Sequence, residues 1–329
     1  MTIATNMVAE KNRFWRSLGS WLAILRIGTT KPRSSIWSAS SSTKISTPET
    51  LADFSAMSLR VGLVQTRTPA THAAALEHVA PLVRQAIEQG ARFVLTPECT
   101  NVVQKDRSKL LPTLTALEDD PVVQGLRAIA AETGTWIDIG SALVLREDGK
   151  AANRQAVIDP TGAIVATYDK LHMFDVDLPT GETARESATY EPGDRAAVVE
   201  TPLGTFGLTI CYDMRFPALH RALALGGAQI LTVPAAFTRP TGEAHWDILL
   251  RARAIETGSF VIAAAQGGFH EDGRGTWGRS IAIGPWGEVI GKLDHDAPGV
   301  LIADLDLAAV DKARAAIPAL KNARAFTGP

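Results

Sequence analysis

What most constrains this chain is a change of periodicity that repeats from residue 58 onward: short apolar runs of strand length alternate with longer segments of helical spacing. Strands are predicted at 59–65, 93–96, 136–141, 154–158 and 164–169, and again at 205–210, 230–234, 260–265, 279–284 and 299–304. Helices are predicted at 72–89, stopped by Gly90, at 120–132, at 217–225 and at 243–256. Pro217 suits a first helical turn, and Gly226-Gly227 suits the end of the same helix. Strands interleaved with helices need a layered α/β architecture, because parallel strands are joined by crossovers that lie on the sheet faces. No Pro/Ser/Gly linker interrupts residues 58–329, so they are expected to form one domain. Neither a fixed-period repeat nor a Gly-rich phosphate loop is present.

Residues 1–57 read differently. No acidic residue occurs between Lys11 and Pro48, and Ser and Thr dominate from Thr29 to Thr47. Such a stretch buries too little to offset its ordering entropy, so an N-terminal extension without a packed core is expected. Three readings compete for it: a disordered extension, a transit peptide, or an over-extended start before Met57. Trp15, Trp21 and Trp37 leave room for a small amphipathic helix around residues 10–27. The whole chain carries 33 Lys and Arg against 35 Asp and Glu, a formal charge of −2 that argues against a polyanion binder and makes nucleic acid an unexpected partner. The longest early apolar run, Trp21 to Leu25, ends at Arg26, far short of a membrane helix. With only Cys99 and Cys211, the chain has no disulfide framework and suits a reducing compartment. The expected location is the cytoplasm, or the mitochondrion if the leader is a transit peptide.

Chemistry-bearing residues collect where strands end. Glu98 follows the strand in ARFVLTPE, Lys170 ends the strand in ATYDK, and Cys211 closes the strand in GLTIC before a sharp turn into the helix at Pro217. A cysteine at such an elbow presents its sulfur, and the N–H groups that follow it, to one space, which suits attack on a carbonyl or nitrile carbon. Read alone, Cys211 is better explained as a small core residue, and Glu98 as an ordinary helix or loop cap. His172, Asp175 and Asp177 in HMFDVD offer metal-ligand chemistry, but no second histidine stands at ligand spacing, so no metal is expected. His172 could also serve Cys211 as a papain-like base.

Taken together, LTPE around Glu98, YDKLHMFD around Lys170 and ICYDMRFP around Cys211 resemble, in that order, the Glu-Lys-Cys triad of the nitrilase superfamily of carbon–nitrogen hydrolases. AHWDILLRARAIET (244–257), VIAAAQ (261–266) and WGRSIAIGPWGEVIG (277–291) extend the likeness from Arg60 to about Arg324. These segments are most similar to the Nit branch, which includes the deaminated glutathione amidases and the ω-amidases. The resemblance implies a four-layer α-β-β-α sandwich, a homodimer, and an amidase that uses neither metal nor organic cofactor.

It also implies roles. Cys211 would be the nucleophile, Glu98 its base and the activator of water, and Lys170, with the Tyr212 backbone N–H, the oxyanion stabiliser. A second glutamate that orients the lysine maps to Glu186, with Glu182 and Glu191 close by. With the triad in place, His172 becomes a structural hydrogen-bonding residue. Arg215 is the expected anchor for a substrate carboxylate, or else a salt-bridge partner of Asp213. Phe237 and Thr241 in AAFTRPTG resemble the branch's pocket loop, with Arg239 a second anion contact and His245 at the active-site mouth. The expected partners are a small carboxylated amide and water. Deaminated glutathione is the leading substrate, ω-amides of 2-oxo acids, nitriles and N-carbamoyl amides are the alternatives, and a catalytically silent scaffold is the non-enzyme alternative.

Overall fold

The computed structural model describes residues 58–179, 181 and 183–328. The leader, residues 1–57, and Glu182 lie outside the described residues. The first strands are β1 (Leu59–Gln65), β2 (Phe93–Leu95), β3 (Trp136–Leu145), β4 (Ala151–Ile158) and β5 (Ile164–Asp169). A small ribbon, β6 (Asp175–Asp177) and β7 (Thr183–Arg185), precedes β8 (Ala197–Thr201), β9 (Gly204–Leu208), β10 (Ile230–Thr232) and β11 (Phe260–Ala263). A second ribbon, β12 (Gly267–Phe269) and β13 (Gly275–Trp277), is followed by β14 (Ile281–Ile283), β15 (Val289–Lys292) and β16 (Gly299–Leu305).

Two six-stranded sheets result, in the orders β16-β1-β2-β3-β4-β5 and β15-β14-β11-β10-β9-β8. Each has three parallel strands at its centre, β1-β2-β3 and β9-β10-β11. The crossovers that parallel pairing demands are α1 (His72–Glu88), α2 (Pro121–Thr133), α3 (Pro217–Leu225) and α4 (Arg239–Thr257). Asp120 caps α2, its carboxylate accepting from the N–H groups of Val122 and Val123 at 2.9 and 3.0 Å, and Gly134 at φ 67° ends it.

Strand periodicity sorts the side chains into layers. Leu59, Val61, Leu63, Phe93 and Leu95 enter the core between the sheets, whereas Val64 and Val94 face Val79, Val83 and Leu126 of the outer helices. Phe93 of β2 stacks on Phe206 of β9 with centroids 4.1 Å apart, so the sheets pack face to face. Burying each ring contributes about 1.5–3 kcal/mol, and the stack about 0.5–1.5 more. On the second sheet, Trp246, Leu250 and Ala254 of α4 close the core from outside, giving the expected α-β-β-α layering.

The structure departs from the sequence reading at a few ends. Helix α4 begins at Arg239 rather than residue 243, because Thr238 and Pro240 form a helix start rather than a loop. Strand β14 begins at Ile281 rather than 279, because Arg279 sits at φ 62° and cannot continue a ladder. Among the described residues, no helix is long and apolar enough to cross a membrane.

Candidate active site

Three strand ends from both sheets meet at one place. Glu98 lies just past β2, Lys170 directly follows β5, and Cys211 lies just past β9. The chain turns sharply at Cys211, which takes φ 50° and opens a 3-10 turn, Cys211–Arg215. A left-handed conformation in a non-glycine residue costs of order 1 kcal/mol or more, and it holds the sulfur at the elbow instead of along the strand. The Cys211 N–H donates to the Pro234 carbonyl at 2.8 Å, tying the elbow to the loop after β10. Glu98 is fixed similarly: the Gln266 amide donates to its carbonyl at 2.9 Å, and the next residue, Cys99, is also left-handed at φ 57°.

All three side chains are buried, with Lys170 2%, Glu98 4% and Cys211 8% exposed. Lys170 Nζ donates to Glu98 Oε1 at 2.8 Å and to both oxygens of Glu186 at 2.9 Å. Asn153 Nδ2 donates to Glu98 Oε1 at 2.9 Å and to Glu186 Oε1 at 3.3 Å. The Ala236 N–H donates to Glu98 Oε2 at 2.9 Å, and the Phe174 N–H to Glu186 Oε2 at 2.6 Å. The Cys211 thiol lies near enough to the Glu98 carboxylate for each to shift the other's protonation. One ammonium thus bridges two carboxylates, and one of those carboxylates also acts on the thiol.

This arrangement sets the protonation states. Burial alone pushes the Glu98 carboxyl up, but the Lys170 charge and hydrogen bond, the nearby Cys211 thiol and the hydrogen bond from Asn153 outweigh it and hold it below the ordinary 4.5. Burial pulls Lys170 down, yet Glu186 and Glu98 together raise it well above 10.5. The Cys211 thiol is raised well above 9.0, first by burial and then by the Glu98 charge. The Lys170 charge favours the thiolate but is outweighed. At neutral pH the site therefore holds a thiol, a carboxylate ready to take its proton, and an ammonium.

The set lies at the floor of a cavity of about 760 Å³. Tyr212, Arg215, Phe237 and Thr241 line it, and His245 does not. His245 is exposed on α4 and touches Arg215 Nη1 through Nδ1 at 3.3 Å, so it reaches the cavity only through that arginine. Arg215 lies over the rings of Tyr212 and Phe237, at 5.8 and 5.3 Å from their centroids. It does not pair with Asp213. That carboxylate is buried and accepts instead from Tyr168 Oη at 2.6 Å, from the Ile210 N–H at 2.9 Å, and from the His172 N–H at 3.1 Å. His172 pairs its Nδ1 with Asp213 Oδ1 at 2.7 Å and stacks on Phe216, outside the cavity lining. Arg239 lines the cavity but is tied to Asp296 at 2.5 Å.

Of the glutamates weighed for contact with Lys170, Glu186 makes it, while Glu191 pairs with Lys150 at 3.0 Å. Asp175 and Asp177 engage Ser187 and Arg185. Among the described residues, no group of three or more His, Cys, Asp or Glu side chains is placed to hold a metal ion. Sequence reasoning missed Asn153, whose amide bridges the two glutamates. An asparagine amid the apolar residues of ANRQAVI was the available signal, since a buried amide needs partners.

Comparison with known proteins places the chain in a family. The carbon-nitrogen hydrolase family model matches residues 60–315. A deaminated glutathione amidase from Yersinia enterocolitica is 40% identical over 74% of this chain and 86% of its own. The crystal structure of the Caenorhabditis elegans NitFhit protein superposes with a TM-score of 0.76 at 31% identity, covering 82% of this chain and 65% of that one. A Nesterenkonia amidase, carrying the acetamide moiety of fluoroacetamide covalently on its active-site cysteine, superposes with a TM-score of 0.68 at 28% identity, covering 82% of this chain and 94% of its own. The family model spans most of the chain, and the chain belongs to the carbon-nitrogen hydrolase family.

Proposed function

We propose that Cys211 cleaves the amide bond of a small carboxylated amide through a thioester, with deaminated glutathione the leading substrate. The observation that carries this reading is the sharing of one ionised carboxylate, Glu98, between the Cys211 thiol and the Lys170 ammonium. When substrate enters, Glu98 takes the thiol proton as sulfur attacks the carbonyl carbon. Lys170 and the Tyr212 N–H stabilise the oxyanion, donors commonly worth about 3 kcal/mol each. The C–N bond then breaks, and the leaving amine takes the proton from Glu98. Glu98 next accepts a proton from water, the hydroxide attacks the thioester, and the C–S bond breaks as Cys211 regains its proton. Glu186 acts through Lys170, fixing its ammonium with two hydrogen bonds.

Arg215, free of any ion pair among the described residues and set over two aromatic rings, is the anchor for the acyl-side carboxylate. A cavity of about 760 Å³ favours a substrate longer than the primary amides that an ω-amidase takes. The related protein's name supports the same choice. A free catalytic thiol suits the reducing cytoplasm. Ile248 and Ile255, exposed 70% and 54% on one face of α4, with Trp286 at 61%, form an apolar surface for a second copy of this chain. Light scattering would read a dimer, and Ile248→Glu a shift toward monomer.

The test is amine or ammonia release from a panel of deaminated glutathione, ω-amides, nitriles and N-carbamoyl amino acids. Wild type is expected to favour the first, and Cys211→Ala to lose at least about 10⁵-fold in activity. Full turnover by Cys211→Ala would overturn the mechanism, preference for another class the substrate, and no turnover at all would leave the silent scaffold.

A further inference from the structure

The catalytic cavity carries more positive charge than its chemistry consumes. Among the described residues, its acidic lining residues are Glu98 and Glu186, both engaged by Lys170. Besides Arg215, further cations reach the lining from different segments: Lys105 from the loop after Glu98, Arg107 from the start of the short helix Arg107–Leu110, and Arg274 from the turn between β12 and β13. Lys105 and Arg107 form no ion pair among the described residues, and both are exposed toward solvent.

The two segments are fastened together by one carboxylate. Asp272, whose side chain is 1% exposed, accepts from the Lys105 N–H at 2.9 Å, from the Arg274 N–H at 2.9 Å and from Arg274 Nη2 at 3.1 Å. Lys105 Nζ lies 3.5 Å from where a side chain on Gly273 would begin, which sets its ammonium against the same turn. Arg274 is near enough to Glu98, Cys99 and Tyr190 for its charge to act on each of them. A buried acid that holds two backbones in place while leaving two cations uncompensated is a built feature rather than a solvated face.

We propose that Lys105, Arg107 and Arg274 form a second anion subsite, which holds a carboxylate on the departing amine of the substrate. This rests on the amidase reading above and deepens it: the preferred amide is charged on both sides of its scissile bond. Arg215 would hold the acyl side, and the subsite would hold the amine side until the C–N bond breaks. Once the thioester has formed, nothing ties the amine to the acyl half, and its carboxylate leaves with it into solvent past the exposed Lys105 and Arg107.

The test keeps the acyl half constant as the 5-amide of 2-oxoglutarate and varies only the amine, comparing the N-carboxymethyl amide with the N-ethyl amide. For wild type, kcat/KM should favour the carboxylated amine by about tenfold or more, the gain of one or two charge-assisted hydrogen bonds. In Lys105→Ala/Arg107→Ala that ratio should fall to within about twofold of unity, with the change carried by KM rather than kcat. Both side chains are exposed, so the double variant should fold. A wild-type ratio near unity, or a ratio that survives in the double variant, would overturn the subsite while leaving the amidase intact. Failure of the amidase reading looks different: neither these amides nor the primary amide would release an amine, and the subsite would fall with it.

Discussion

Glu98 and Asp138 are two buried carboxyl groups of the same sheet, and they come to opposite states. They are close: Thr96, two residues before Glu98, donates its N–H to the Asp138 carbonyl at 3.0 Å. Both side chains are buried, Asp138 completely and Glu98 to 4% exposure at the cavity. Glu98 faces the Lys170 ammonium and is held below its ordinary range. Asp138 meets only neutral partners, Gln155 at 2.8 Å and Thr232, while its Oδ1 has no hydrogen-bond partner, and burial pushes it up to about 8. Burial alone therefore does not give an ionised carboxylate. The cation does, by keeping the acid ionised where water cannot.

The largest expected effect comes from removing that cation. Lys170→Met should place Glu98 in the situation of Asp138 and leave the oxyanion short of a donor, for a combined loss of about 10⁴-fold in kcat/KM. In wild type the acid limb of kcat/KM should lie below pH 4.5, because Glu98 must be ionised, and the alkaline limb above 9.0, because the thiol is raised. In the variant the residual activity should show an acid limb moved upward. An unmoved limb would mean that the lysine does not set the state of Glu98.

Asp138 supplies the converse experiment, on stability. Its folded value of about 8 lies above the ordinary 3.8, so the folded protein binds this proton more tightly than the unfolded chain. The corresponding stability is complete below pH 3.8 and is lost as pH rises toward about 8, by up to about 6 kcal/mol. Asp138→Asn, which mimics the neutral acid, should remove that alkaline loss in urea titrations at pH 8 and change little at pH 4. Equal effects at both pH values would show Asp138 to be ionised in the fold.

A smaller effect belongs to a buried base. His220 is lowered to about 4, chiefly by burial, and its Nε2 has no hydrogen-bond partner. It must stay neutral in the fold, so its share of stability is present above pH 6.5 and is lost as pH falls toward 4, by about 3 kcal/mol. Its ring signals in an NMR titration should turn near pH 4. A midpoint near 6.5 would contradict the burial account.

These contrasts also explain what could be read before the structure. Strands such as 59–65, the helix from His72 and the elbow at Cys211 carry their periodicity or turn chemistry in the local sequence, so they were legible. The ribbons β6–β7 and β12–β13 were not, because three-residue strands with glycine or alternating charge carry no period of their own. In the site, Glu98, Lys170 and Cys211 stand at strand ends and in recognisable segments. Asn153, the Asp213 network with Tyr168 and His172, and the Asp272 fastening depend on partners distant in sequence, and only the packed fold reveals which polar groups must satisfy one another.

The central claim, that Cys211 and not Cys99 carries the acyl group and that Glu98 drives its release, is tested most directly by mass spectrometry of Glu98→Gln after incubation with an amide substrate. Without the carboxylate, hydrolysis of the thioester should slow more than its formation, and the Cys211 peptide should gain the mass of the acyl group, substrate less amine. An adduct on Cys99, or amine release at the wild-type rate from protein that carries no adduct, would contradict it.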